Sequence, residues 1–268
     1  MPYVQARDGT NLYYKDWGSG PPVVLIHGWP VNADMWEQQQ TALAEQGFRA
    51  IAYDRRGFGR SDQPWSGYDY DTFADDLAAI IETLDLRGVA LVGFSMGGGE
   101  VARYLQRHGA DRVSKAVLAG AVTPFLLKTD DHPNGAPQEL FDGMIAGIRA
   151  DRPAFLAEFT RNFYGGQVSD AVMQWHQGLA LQSSLRPTIE CVRAFGTTDF
   201  RADMKAFTVP TLIIHGDADA IVPIEISART AAEAIRGAQL KEYPGAPHGL
   251  AASHGDRLTA DLLEFLRS

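Results

Sequence analysis

The sequence predicts an α/β protein: an eight-stranded, mostly parallel sheet with helices on both faces and a helical cap inserted after the sixth strand. Three observations carry this. Short, continuously apolar runs recur along the chain, as strands buried on both faces require. Between them lie segments whose apolar residues fall three and four apart, the stripe of an amphipathic helix. The strand rhythm then stops between about 125 and 207, where only helical patterns and chain breakers occur. At ~150 residues per domain, 268 residues allow two domains or one large unit with an insertion. The pattern favours the second, a core of 1–124 and 208–268 interrupted by a cap of 125–207.

In chain order, the alternating segments Tyr3–Arg7 and Asn11–Trp17 flank Asp8-Gly9, a strong hairpin signal because both residues tolerate positive φ. Ser19-Gly20-Pro21-Pro22 punctuates the chain before the buried strand Val23–Ile26. Further buried strands are predicted at Phe48–Tyr53, Val89–Gly93, Val113–Ala119, Thr211–His215 and Gln239–Tyr243. Helices are predicted at Ala33–Gln46, Asp71–Asp85, Met96–His108, Ile224–Ile235 and Arg257–Leu266. In the second of these, Phe73, Leu77, Ile80 and Leu84 make one stripe. Within the cap, Asp130–Gly135 reads as a loop, and Phe155, Phe159 and Phe163 lie on one helical face.

Composition narrows the function classes. Hydrophobic residues are 45% and charged residues 21%, which provides a full core and excludes intrinsic disorder. Asp and Glu number 33 against 24 Lys and Arg, net −9, which argues against a nucleic-acid partner. No apolar run approaches the ~20 residues of a membrane span. The first residues lack a basic and an apolar signal region, and the single Cys191 cannot form an internal disulfide; both fit a cytoplasmic enzyme.

Gly93-Phe94-Ser95-Met96-Gly97 falls where a predicted strand ends and a helix begins, the setting of a G-x-S-x-G nucleophile elbow. Such a turn leaves no room for side chains two positions either side of the serine, and it presents Ser95 at a helix N-terminus. A bare G-x-S-x-G is a common string that also fits a Gly-rich helix start, so the strand–turn–helix context decides. A serine hydroxyl needs a base, and the base an orienting carboxylate. His248 is the one histidine at the carboxyl end of a late strand. His27 and His215 end buried strands and read as structural; His108, His132 and His176 read as surface, and His254 as solvated or capping. For the acid, Asp217 and Asp219 compete. Asp217 follows Gly216 and fits an Asx-type turn role, whereas Asp219 is farther out and better placed to reach His248. The backbone N–H groups of Met96 and Trp29 are the oxyanion-hole candidates, since Pro30 has no N–H.

His27-Gly28-Trp29-Pro30, Asp54-Arg55-Arg56-Gly57-Phe58-Gly59-Arg60-Ser61, Gly93–Glu100, His215-Gly216-Asp217-Ala218-Asp219 and Ala246-Pro247-His248-Gly249 recur in α/β-hydrolases. As a set the chain resembles the cofactor-free bacterial haloperoxidases (non-haem chloroperoxidases), also described as aryl esterases. The resemblance continues through Ala121-Val122-Thr123-Pro124 and Thr198-Asp199-Phe200-Arg201 and spans nearly the whole chain. It implies Ser95 as nucleophile, Asp219 as acid, His248 as base, and Trp29 and Met96 as oxyanion donors. It also implies action on small esters, with hydrogen peroxide replacing water in deacylation to give a peracid that oxidises halide. A small apolar site would fall to Val122, Leu126, Met144, Phe159, Phe163, Ile221 and Ile224, for which ordinary cap packing is the competing explanation. Relatives form dimers, trimers or hexamers, so a homo-oligomer is expected.

Pro30 restricts Trp29 toward extended geometry. It is either a rigid loop start or the means of aiming the Trp29 carbonyl at peroxide; the family associates this proline with perhydrolysis. No haem-attachment, zinc-protease or cysteine-cluster motif is present, so no cofactor or metal is expected. Serine at position 95 disfavours the Asp-nucleophile dehalogenases and epoxide hydrolases. Two alternatives stay open: a lactonase or γ-lactamase on the same residues, and a binding protein that keeps them as a ligand sensor.

Overall fold

At Asp8-Gly9 the chain reverses, with Gly9 at φ +90° and its N–H on the Ala6 carbonyl. The flanking segments Tyr3–Gln5 (β1) and Asn11–Gly18 (β2) pair antiparallel. The computed structural model describes residues 2–268. The later predicted strands form Pro22–Ile26 (β3), Arg49–Tyr53 (β4), Val89–Phe94 (β5), Val113–Ala119 (β6), Thr211–Gly216 (β7) and Gln239–Tyr243 (β8). They assemble in the order β1-β2-β4-β3-β5-β6-β7-β8, parallel from β4 onward.

Both faces of the central strands are buried, and alternation along each strand assigns them; the edge strand β8, expected to be buried, buries only Tyr243, because no strand pairs with its outer side. Val24, Ile26 and Leu91 enter one apolar cluster, whereas Val23, Leu25 and Val92 enter the other. Helices Tyr70–Thr83 (α2) and Met96–His108 (α3) cover the first face. Glu37–Glu45 (α1) and Gly255–Arg267 (α9) cover the second. Local chemistry sets their ends: the Asp69 carboxylate accepts from Thr72 N (2.9 Å) at the start of α2, and Gly109, at φ +75°, closes α3.

Two predicted helices begin differently. Ala33–Trp36 is a 3-10 turn that leads into α1. Residues 224–227 form turns, and the helix proper is Ala228–Ala234 (α7), because Ser227 Oγ bonds back to the Pro223 carbonyl (2.7 Å) instead of continuing a helical ladder.

Between β6 and β7 lie Gln138–Tyr164 (α4), Asp170–Leu181 (α5) and Leu185–Thr197 (α6). Helix α4 breaks at Asp151 (φ −156°, ψ 88°), two residues before Pro153, which cannot donate to the helical ladder. The Asp151 carboxylate accepts from Ala154 N (3.0 Å) and restarts the helix. Its second half carries Phe155, Phe159 and Phe163 over the carboxyl ends of the strands. A short bridge, Thr129 against His132, closes the start of the expected Asp130–Gly135 loop. A 3-10 turn, Asp203–Ala206, precedes β7, and Leu250–Ser253 (α8) precedes α9. Among the described residues no helix is long and apolar enough to cross a membrane.

Sheet order positions the site. From β3 the chain passes to β4 on one side, then returns to lay β5 on the other. The loops after β3 and β5 therefore part and leave a crevice between them, where open α/β sheets bind ligands.

Candidate active site

Ser95 stands on that crevice. Its backbone, φ 52° and ψ −119°, is strained for a residue with a side chain, at a cost of ~1–3 kcal/mol. Neighbouring backbone holds it there: Ser95 N donates to Ala119 O (2.9 Å), and Val122 N donates to Ser95 O (3.2 Å). The flanking glycines answer the predicted steric demand. A Cβ at Gly93 would lie 2.4 Å from the Gly97 carbonyl oxygen, and one at Gly97 would lie 2.6 Å from that of Ile26.

Three side chains from three loops meet in a hydrogen-bonded line. His248 Nε2 is 2.9 Å from Ser95 Oγ, and His248 Nδ1 is 2.6 Å from Asp219 Oδ2. All three residues are buried. The rings of Phe94 and Phe163 pack against the imidazole, with centroids at 5.0 and 4.9 Å. Asp219 Oδ1 accepts from the N–H groups of Ile221 (2.9 Å) and Val222 (2.8 Å). Burial alone would raise the Asp219 carboxyl. The His248 imidazole, the nearby His215 and the hydrogen bonds outweigh it and hold the group well below the usual carboxylate range.

The two aspartates stand with their expected turn roles exchanged, and it is Asp219 that contacts His248. Asp219 makes the Asx-type turn, through Ile221 and Val222. The Asp217 carboxylate instead reaches across to Gly245 N (2.5 Å), tying the loop after β7 to the loop after β8.

Trp29 and Met96 flank the serine. Met96 is the first residue of α3, and among the described residues neither its backbone N–H nor that of Trp29 donates to a protein acceptor. The Trp29–Pro30 bond is cis. The Trp29 indole donates to Thr188 O (3.0 Å) and packs edge-on against Phe159 and Phe195, which fastens this loop to α4 and α6.

A cavity of about 440 Å³ opens from Ser95 beneath these helices. Of the residues expected to line it, Val122, Leu126, Met144, Phe159 and Ile221 do so. Phe163 and Ile224 stand elsewhere: Phe163 packs behind His248, between it and His176, and Ile224 is buried in the core. Phe141, Phe155 and Phe195 of α4 and α6 also line the wall, as do Val222, Pro223 and Ile226 after β7. The Phe155–Phe159 stripe was a usable signal for one of these; Phe195 has no local signal, because only the packing of α6 brings it in.

The expected surface position of His176 is corrected by its burial, 2% exposed. Helix α5 turns it inward, where its Nδ1 is 2.9 Å from Tyr164 Oη. Burial, reinforced by the charge of His248, lowers its pKa to about 3. His108 pairs with Asp75 at 2.8 Å, and His254 Nδ1 is 3.0 Å from Ser253 Oγ. Among the described residues no group of three His, Cys, Asp or Glu side chains is arranged to hold a metal ion.

Strand order, elbow and crevice together define an α/β-hydrolase. Residues 21–254 match the family described as alpha/beta hydrolase fold. The chain is 46% identical to the non-haem chloroperoxidase of Kitasatospora aureofaciens, over 99% of each chain. It is 41% identical to a bifunctional esterase/perhydrolase of Acinetobacter calcoaceticus, over 100% of each. The crystal structure of bromoperoxidase from Bacillus anthracis is similar over the full length of both chains, with a TM-score of 0.96 and 47% identity. The chain thus belongs to the α/β-hydrolase family, among its non-haem haloperoxidase enzymes.

Proposed function

We propose that this enzyme hydrolyses small carboxylic esters through an acyl-Ser95 intermediate, and that hydrogen peroxide can replace water to release a peracid. The observation that carries the reading is the Ser95–His248–Asp219 line opening into an apolar cavity. His248 takes the Ser95 proton as Oγ attacks the ester carbonyl. Asp219 holds the imidazole with Nδ1 protonated, so that Nε2 is the base, and stabilises the imidazolium that forms. The Trp29 and Met96 N–H groups, free of other acceptors, receive the developing oxyanion. The alcohol leaves with the proton from His248. Water or peroxide then attacks the acyl group, gives its proton to His248, and releases acid or peracid with Ser95 restored.

The apolar wall favours short alkyl and aryl groups, and the esterase/perhydrolase relative supports the peroxide branch. In this reading residues 125–207 act as the cap that shields the acyl-enzyme. The test is turnover of p-nitrophenyl acetate, with peracid formation from acetate and peroxide measured alongside. Ser95→Ala should lose both. Undiminished turnover in that variant sinks the mechanism, and peracid at background while a lactam turns over sinks the perhydrolase half.

A further inference from the structure

The peptide joining Gly28 to Trp29 is trans, so its carbonyl and its N–H point to opposite sides. Whatever grips the Gly28 carbonyl therefore aims the Trp29 N–H. The grip is His27. Its Nδ1 lies 2.7 Å from Gly28 O, which can only accept, so Nδ1 carries the hydrogen. Its Nε2 lies 2.9 Å from the Arg55 backbone N, which can only donate, so Nε2 carries the lone pair. Both contacts demand the same neutral tautomer. A further approach, Arg55 Nη1 to Nδ1 at 3.5 Å, is too long to compete. The ring is fully buried, and burial, followed by the Arg55 charge, pushes its pKa well below the usual histidine range.

Behind His27 stands a buried ion pair that no step of the proposed mechanism uses. Arg55 Nη2 donates to the His27 carbonyl (2.8 Å), and Arg55 Nε donates to Glu100 Oε2 (2.8 Å). Both side chains are 0% exposed. Glu100 lies one turn beyond Met96 on α3. A continuous linkage thus runs from the helix that carries one proposed oxyanion donor to the loop that carries the other. The loop also lies directly on the nucleophile: a Cβ at Gly28 would fall 3.0 Å from Ser95 Cβ.

We propose that His27 is a positioning residue for catalysis: its Nδ1–H holds the Gly28–Trp29 peptide with the Trp29 N–H turned to the oxyanion, and the Arg55–Glu100 pair holds His27. This rests on the oxyanion role proposed for Trp29. Nitrogen-15 spectra of histidine-labelled protein should give His27 as the Nδ1–H tautomer, unchanged between pH 8 and 5; the Nε2–H tautomer overturns the proposal.

In His27→Leu, kcat on p-nitrophenyl acetate should fall by about 10²–10³-fold, the range for loss of one oxyanion donor, with KM little changed. Binding of a trifluoromethyl ketone, whose adduct with Ser95 carries the same oxyanion, should weaken in step with kcat. His27→Asn, whose amide can donate to the same carbonyl, should recover most of both. Wild-type kcat in a folded His27→Leu protein, with Ser95→Ala inactive, overturns this inference alone; an active Ser95→Ala overturns the parent reading. Should His27→Leu fail to fold, the tautomer and His27→Asn decide: an asparagine variant as impaired as one lacking a donor counts against it.

Discussion

Asp219 gathers three hydrogen-bond donors, and a fourth nitrogen stands beside it. Two backbone N–H groups reach Oδ1 and His248 Nδ1 reaches Oδ2 at 2.6 Å, while His215 Nε2 lies 3.1 Å from Oδ2. His215 has its closer acceptor in Val222 O (2.8 Å), so it packs beside the carboxylate as part of the same turn. This setting separates the two aspartates experimentally. In Asp219→Asn the amide oxygen can keep the two backbone N–H groups, which leaves the NH₂ facing His248 Nδ1 and imposes the wrong tautomer. On the proposed mechanism kcat should fall on the order of 10³–10⁴-fold. Asp217→Asn keeps an oxygen for Gly245 N and should leave kcat within a few-fold. Steady-state kinetics on one ester checks both, and equal losses would contradict the assignment of Asp219 as the acid. At this scale the sequence placed His248 through its loop after the last strand, but it could not see that Asp219 forms the Asx turn. Turn partners depend on where the chain goes next.

The elements that matter most are β3, β5 and α3, because the site is the gap between their ends. Gly97 lets α3 start hard against β3: a Cβ there would lie 2.6 Å from Ile26 O and 3.0 Å from His27 O, both backbone atoms that cannot step aside cheaply. Gly97→Ala should therefore destabilise the fold by ~1–3 kcal/mol, the usual cost of overpacking, and lower kcat by displacing the loop that carries Trp29. Urea unfolding and ester kinetics on one preparation check this. Stability and kcat both at wild-type values would show that the contact is slack. The central strands were legible because their runs are mainly apolar, β1 and β2 because apolar residues alternate on either side of Asp8-Gly9, and α3 because it begins at the elbow and ends before Gly109. The start of α7 was not: Ile224–Ser227 has a helical pattern, but the Ser227 hydroxyl satisfies the Pro223 carbonyl and the turn stays open.

Across the whole molecule, buried neutral histidines tie stability to pH. His176, lowered to about 3 from its ordinary 6.5, takes a proton in the unfolded chain well before it does in the folded one. Its contribution is complete above pH 6.5 and is lost at ~1.4 kcal/mol per pH unit as the pH falls from 6.5 toward 3. His27, also lowered, adds in the same direction. Urea midpoints at pH 7.5, 6 and 5 should fall steadily for the wild type and less steeply for His176→Phe; identical slopes would refute the role of His176. The Tyr164 hydroxyl, left without its partner, shifts all three values of the variant equally. By itself the sequence determined the sheet, the elbow and the loops that present Ser95, Asp219 and His248, since these follow from periodicity, glycine sterics and strand-end position, all local properties. Only the tertiary structure decided which residues of α4 and α6 face the cavity, that Phe163 backs His248 instead of lining the wall, that His176 is buried, and that His27, Arg55 and Glu100 link the two sides of the crevice. Each of these depends on contacts between segments far apart in the chain, and a helical or strand pattern fixes which residues share a face, not what that face meets.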